Sequence, residues 1–263
     1  MISSQFISRI ALQRDKIDSF ETYPFSLPSV RSLDYIEPHP KVTFFVGENG
    51  SGKSTLLEAI ATSIGFNPEG GTKNFRFKTR ASHSILHEYL RVAKGYKRPR
   101  DGFFLRAESF FNVATEIENL DAEPSFGPPV ITHYGGQSLH EQSHGESFMA
   151  LLMNRFGENG LYLLDEPEAA LSPQRQLEAM ARIHDLASAN SQFIIATHSP
   201  ILMAYPDAWI YQFDKSGISK ISYQDTEHYQ VIRSFIMNPE RMLKEIMSDA
   251  QQRTRATQNG ISE

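Results

Sequence analysis

Apolar residues come along this chain in short runs, each closed by glycine, proline or charged residues, and these runs predict the elements. Val42 to Val46, Phe103 to Arg106, Leu161 to Leu164 and Gln192 to Ala196 read as strands. Glu146 to Phe156 and Pro173 to Ser188 read as helices, so the second half alternates helix and strand. That alternation predicts an α/β fold with a mainly parallel sheet flanked by helices. Ala208 to Phe213 and Ile218 to Tyr223, joined through Asp214-Lys215-Ser216-Gly217, predict a hairpin. Upstream, Phe6 to Gln13 and Leu33 to Ile36 predict a small N-terminal antiparallel layer, and the prolines of Tyr23 to Pro28 keep that link out of helix. Ser82 to Ala93 has apolar residues at helical spacing, with breakers at Asn67 to Gly71 and Gly95 to Gly102 and a surface connection at Asp121 to Pro129. The expected organisation is one domain over 1–250: an antiparallel layer at 1–41, a core at 42–224 and a helical segment at 225–247. Residues 248–263 read as a polar tail.

The first buried-type strand runs straight into Gly47-Glu48-Asn49-Gly50-Ser51-Gly52-Lys53-Ser54, a G-x-x-x-x-G-K-[ST] phosphate loop. Gly47, Gly50 and Gly52 let backbone N–H groups turn inward without Cβ atoms in the way. Thr55 to Ala61 continues as helix, so the positive end of its dipole faces the loop. Lys53 adds a full charge for the β and γ phosphates. The Ser54 hydroxyl is the expected protein ligand to Mg²⁺, a hard cation that takes most other ligands from phosphate and water. The pattern predicts a bound nucleoside triphosphate.

Leu161 to Leu164 ends in Asp165-Glu166, two acids at the carboxyl end of a strand, where open α/β sheets bind ligands. Alternation along a strand would send Asp165 to the metal and Glu166 toward the γ phosphate, to orient or deprotonate water. The next strand ends in Thr197-His198-Ser199-Pro200, which places His198 at the same sheet edge, able to sense that phosphate. His140 and His144 lack accompanying acids or cysteines at ligand spacing, and no zinc site is read there.

Composition narrows the class. With 263 residues, 40% hydrophobic and 22% charged, the chain can bury a full core, and its apolar runs are far short of the roughly 20 residues a membrane helix needs. No intrinsic membrane segment, no leader and no cysteine point to a cytoplasmic protein without disulfides. The net charge of −5 argues against coating nucleic acid globally. Locally, the 73–100 segment carries Lys73, Arg76, Lys78, Arg80, Arg91, Lys94, Lys97, Arg98 and Arg100, with Phe75, Phe77 and Tyr96 interleaved. A nucleic-acid surface and a set of solvated loops are both open there.

The order of phosphate loop, Ser143-His144-Gly145-Glu146, Leu161 to Glu166 and Thr197-His198-Ser199 resembles the ATP-binding-cassette ATPase superfamily, over about Val42 to Pro200. Gln142 to Glu146 looks like a degenerate L-S-G-G-Q signature in a variant ending in glutamate. The resemblance implies ATP and Mg²⁺ as ligands, with Lys53, Glu166 and His198 in catalysis and Ser54 and Asp165 on the metal. It also implies an ATP-dependent homodimer, in which Ser143, Gly145 and Glu146 reach the ATP of a second subunit. On the residues alone, a plain N-capped helix with Ser143 or Ser147 as the cap stays open.

Two departures stand out. Glu108 falls where the family carries a glutamine that joins the metal or water shell, and Ser172 stands where its interface loop often has aspartate. Asp165-Glu166-Pro167-Glu168 followed by Leu171-Ser172-Pro173 looks more like the soluble cassette ATPases of DNA repair, chromosome maintenance and phage defence than like transporter subunits, and the whole chain resembles compact predicted ATPases. The roughly ninety residues between loop and Ser143 leave no room for long coiled-coil arms. Three functions are open: an ATP-hydrolysing dimerisation switch, the ATP-binding subunit of a membrane transporter, or a non-hydrolysing ATP-dependent interaction module.

Overall fold

The structure is a computed structural model that describes residues 5–73, 84–107, 110–122 and 127–248. In chain order it runs β1 (Ile7–Leu12), α1 (Pro28–Arg31), β2 (Tyr35–Ile36), β3 (Val42–Gly47), α2 (Lys53–Ser63), β4 (Leu90–Lys94) and β5 (Asp101–Arg106). It continues with α3 (Phe110–Ala122), α4 (His144–Ala150), β6 (Gly160–Asp165), α5 (Pro173–Ser188), β7 (Gln192–Ala196), α6 (Pro200–Met203), β8 (Trp209–Asp214), β9 (Gly217–Ile221) and α7 (Glu227–Met237). Two compact units emerge, Met1–Ser222 and Tyr223–Glu263. The second is built on α7 and a further helix over 239–248.

Six strands form the main sheet in the order β5-β6-β7-β3-β8-β9, parallel throughout except for the β8–β9 hairpin. Every residue of β3, β6 and β7 is buried, which is why these runs are continuously apolar rather than alternating. The smaller sheet is antiparallel, β2-β1-β4. Helix α2 packs against strands of both sheets. Its Leu56, Leu57 and Ile60 join Ile7, Ile10, Phe45, Phe104, Leu163 and Ile194 in one core. Truncating any one of these helix residues to alanine would cost about 2–5 kcal/mol, so α2 is held rigidly.

The structure departs from the sequence-based expectations in four places. The helix expected over Ser82 to Ala93 is, from Ser84 on, a 3-10 turn at Ile85–Tyr89 followed by strand β4; residues 82 and 83 lie outside those described. Leu90 and Val92 pair with Leu12 and Ile10 across the sheet, and a short apolar run of this kind fits either period. The antiparallel layer therefore takes its third strand from beyond residue 41, and β2 is only two residues long. The helix expected at Glu146 begins at His144, and a π-helical turn over Leu151–Arg155 continues it to Phe156. Helix α3 is an addition to the expected elements, although Phe110, Val113, Ala114 and Ile117 are buried at helical spacing.

One side chain ties the two sheets together. Gln192, fully buried at the start of β7, accepts from the backbone N–H groups of Phe6 and Ile7, both at 2.9 Å. Its amide nitrogen donates to the carbonyls of Ile7 and His39, both at 3.0 Å. Removing it strands four backbone groups, three of them buried, and each buried orphan costs about 1–3 kcal/mol. Gln192→Leu should therefore lower stability by about 3 kcal/mol or more in urea denaturation; a loss under about 1 kcal/mol would show that the clamp is dispensable.

Candidate active site

The carboxyl ends of β3, β6 and β7 lie side by side because the three strands are parallel and in register, with Phe45 and Asp165 both paired to Ala196. The three segments that leave these strands therefore meet at one edge. After β3 the chain turns through exposed Glu48, Asn49 and Gly50 into α2. Gly47 has φ 145°, and a Cβ there would sit 2.2 Å from the Phe213 carbonyl oxygen. Gly52 caps α2 at φ 98°, and its Cβ would meet Ser29 Oγ at 2.4 Å. Ser29 Oγ in turn donates to the Ser51 carbonyl at 2.7 Å, bracing the loop from outside.

Lys53 is buried, and its Nζ donates to the carbonyls of Gly47 (2.8 Å) and Glu48 (2.9 Å). Burial lowers the pKa of this ammonium, while the charges of Glu166, Asp165 and Glu168 oppose the shift. The cation thus sits folded onto its own loop with three carboxylates near it. Ser54 Oγ donates to Asp165 Oδ1 at 2.8 Å, joining α2 to the end of β6. Thr55 Oγ1 lies 3.3 Å from the Tyr23 hydroxyl.

Glu166 is not the next residue of a pleat. Strand β6 ends at Asp165, and Glu166 takes a left-handed conformation, φ 51° and ψ 51°, before the 3-10 turn Pro167–Ala170. This turn, rather than the strand alternation expected from the sequence pattern, separates the two acids. Glu166 N–H donates to the Ala196 carbonyl at 2.9 Å. Its Oε1 is 3.6 Å from His198 Nε2. A non-glycine residue held left-handed costs of order 1–3 kcal/mol, and such strain clusters at functional positions.

Does the edge suit a magnesium triphosphate? Ser51 Oγ is shut off from solvent with no hydrogen-bond partner among the described residues, a donor left over inside the loop. The first amides of α2 have no intrahelical acceptor by helix geometry and add to it. Ser54 Oγ and Asp165 form a pair of hard oxygen ligands of the kind Mg²⁺ takes beside phosphate oxygens and water. Among the described residues no cluster of three or more His, Asp or Glu could hold a metal alone. The residues fit the group.

Sequence comparison matches an AAA domain over residues 16–114, and over 130–204 a family described as "AAA domain, putative AbiEii toxin, Type IV TA system". The hemin import ATP-binding protein HmuV of Rhodopseudomonas palustris is 25% identical over 200 residues, covering 70% of this chain and 74% of its own. The energy-coupling factor transporter ATP-binding protein EcfA2 of Staphylococcus aureus is 24% identical over 216 residues, covering 76% and 74%. A solved ATP-binding cassette of an ABC transporter superposes with a TM-score of 0.52 at 15% identity, covering 87% of this chain and 98% of that one. The fold is that of an ATP-binding cassette.

Within this fold the Ser143 to Glu146 segment forms a complete capping box. Ser143 Oγ donates to Glu146 Oε2 at 2.6 Å, Ser143 N–H donates to the same oxygen at 3.0 Å, and Glu146 N–H donates to Ser143 Oγ at 3.3 Å. The Ser143 hydrogen bonds hold the Glu146 carboxyl below its usual pKa range. Within one chain, then, Ser143 is a helix cap, and Glu146 supplies the negative charge at the start of α4. Gly145 is a close-approach glycine, since its Cβ would lie 2.6 Å from the Ala170 carbonyl oxygen. A cleft of about 630 Å³ runs between this segment and Glu166, with Ala170, Ser172 and Arg175 on its wall. Ser172 caps α5, accepting from Arg175 N–H at 3.3 Å.

Glu108 lies outside the described residues and stays an expectation. Next to it, Arg106 donates to Glu58 Oε2 at 2.6 Å, a largely buried ion pair from the end of β5 to α2. No short motif signals that pair, since its members are 48 positions apart. Glu168 lies inside the acidic motif, but the motif gives no sign of its contact: its Oε1 accepts from His198 N–H at 2.5 Å, and burial pushes its pKa up. Of the basic segment, 74–83 lies outside the described residues. Arg91, Lys94, Lys97, Arg98 and Arg100 are exposed, while Lys73 Nζ lies 5.1 Å over the Phe66 ring. His140 hydrogen bonds with Thr115 Oγ1 at 3.0 Å and packs edge-on to Phe111, while His144 begins α4. No helix among the described residues is long and apolar enough to cross a membrane.

Gly47→Ala forces a methyl group onto the Phe213 carbonyl and displaces the carbonyl that Lys53 holds. It should cost about 2 kcal/mol in stability and weaken ATP binding at least about tenfold, measured by thermal melting and calorimetric titration. Unchanged ATP affinity would mean that the loop tolerates the shift.

Proposed function

We propose that this chain hydrolyses ATP, and that ATP closes two copies head to tail into a dimer that opens after hydrolysis. The observation that supports it most directly is the convergence of Ser54, Asp165, Glu166 and His198 at one sheet edge. The Ser54–Asp165 bond spans 111 positions at 2.8 Å, with Glu166 beginning the next turn.

In this reading the loop amides, Lys53 and the α2 dipole hold the triphosphate, with Glu48, Asn49, Gly50, Ser51, Gly52 and Thr55 shaping the cradle. Ser54 and Asp165 hold Mg²⁺, which neutralises charge on the phosphates when bound. Glu166 orients a water and takes its proton, with the imidazole of His198 beside it. The water oxygen bonds to the γ phosphorus as the bridging P–O bond to the β phosphate breaks, leaving ADP and phosphate. Ser143, Gly145 and Glu146 of each copy then face the other copy's nucleotide, which requires the Ser143–Glu146 box to open and present Ser143 to a phosphate.

Glu166→Gln should keep ATP affinity within about twofold, lower kcat by at least about a hundredfold, and accumulate a dimer by light scattering with ATP. Turnover at the wild-type rate would remove Glu166 from this role. Lys53→Ala should weaken ATP binding by at least about a hundredfold, the scale of one buried charge-assisted contact; unchanged affinity would overturn the loop assignment.

The names of HmuV and EcfA2 favour a second reading, an ATP-binding subunit that drives a membrane transporter. Co-purification with one membrane protein from detergent extracts would support it over the free switch. Absence of phosphate release by the wild-type chain would instead favour a non-hydrolysing interaction module.

A further inference from the structure

Two straps cross from the turn after β6 to the loop after β7. The first is backbone to backbone, Glu166 N–H to the Ala196 carbonyl at 2.9 Å. The second uses a side chain: Glu168 folds back so that its Oε1 accepts from His198 N–H at 2.5 Å, across 30 positions. The Thr197 side chain also hydrogen bonds with this carboxyl group. The far oxygen, Oε2, is shut off from solvent with no hydrogen-bond partner among the described residues. The turn carrying Glu168 is itself braced, with Ala169 N–H donating to the Glu166 carbonyl at 3.1 Å and Leu171 N–H to the Glu168 carbonyl at 2.9 Å.

The rest of the loop after β7 is held differently. Thr197 N–H donates to the Phe45 carbonyl at 3.1 Å, and Ser199 N–H to Thr197 Oγ1 at 3.0 Å. Between them, His198 directs its backbone donor to a side chain from another turn. Its ring nitrogen Nε2 then stands 3.6 Å from Glu166 Oε1. Both members of the Glu166–His198 pair therefore depend on the Pro167–Ala170 turn, one by chain connection and the other through Glu168.

We propose that Glu168 is a positioning residue that fixes the backbone of His198 and so sets the imidazole beside Glu166 for contact with a γ phosphate. The proposal rests on the reading of Glu166 and His198 as the γ-phosphate end of the site. Glu168 itself touches no substrate. What the geometry uses is an acceptor at Oε1, and an amide supplies one as well as a carboxylate does.

The test compares affinities for ADP and for the slowly hydrolysed analogue ATPγS, both with Mg²⁺, in wild type, Glu168→Gln, Glu168→Ala and His198→Ala. Wild type should prefer ATPγS, and His198→Ala should lose about tenfold of that preference, the scale of one hydrogen bond to a charged group. Glu168→Ala should lose a similar factor while its ADP affinity stays within about twofold, which shows that the phosphate loop is folded. Glu168→Gln should keep the wild-type preference. Retention of the full preference by Glu168→Ala, or an equal loss for ADP and ATPγS, overturns the positioning role. So does a Glu168→Gln that falls as far as Glu168→Ala. If His198→Ala also keeps the preference, the fault lies in the γ-phosphate reading itself, and the proposal falls with it.

Discussion

Parallel strands buried on both faces cannot end at independent places. Each must pair along its length with two neighbours, and every backbone group that enters the apolar layer has to be satisfied there. In this chain β3 is paired to β7 and β8, and β7 to β6 and β3, with no slip in register. The chain therefore leaves the layer at one edge after Gly47, after Asp165 and after Ala196. Chemistry collects at that edge because it is the first place where polar side chains and turning backbone can meet water or a ligand.

Rigidity then passes outward from the sheet. Helix α2 is locked between strands of two sheets by Leu56, Leu57 and Ile60, so Lys53 and Ser54 at its start inherit a fixed position. The Arg106–Glu58 pair anchors the same helix to the end of β5. The turn after β6 shows the opposite pattern, holding Glu166 in a left-handed conformation that a glutamate would not choose by itself. A scaffold this firm can hold one strained residue, and the strain sits where the proposed water would be activated.

Much of this was legible in the sequence for physical reasons. Continuous apolar runs mark strands buried on two faces, and G-x-x-x-x-G-K-S carries a backbone geometry that few other sequences can adopt. The strands expected at Val42 to Val46, Leu161 to Leu164 and Gln192 to Ala196 form as β3, β6 and β7. The small sheet was harder to read. Leu90 to Lys94 is short enough for its apolar spacing to suit a helix as well as a strand, and only pairing with β1 decides. Contacts made by single side chains across long separations left no local trace: Ser29 to the Ser51 carbonyl, Arg106 to Glu58, Glu168 to His198. The Ser143–Glu146 box did have a local signature, but the same four residues suit a helix cap and a phosphate contact equally well. Choosing between those uses requires a second chain.

The Gln192 side chain also constrains the order in which this molecule can be made. Its bonds to Phe6 and Ile7 close a loop of 186 and 185 positions, among the most distant side-chain contacts in the protein. Strand β1 leaves the ribosome well before β7, yet the groups that complete its hydrogen bonding appear only when β7 does. Until then the N-terminal layer has an unfinished edge, and long-range closures of this kind are slow steps in folding. The Phe6 and Ile7 amides are therefore satisfied only once β7 is in place.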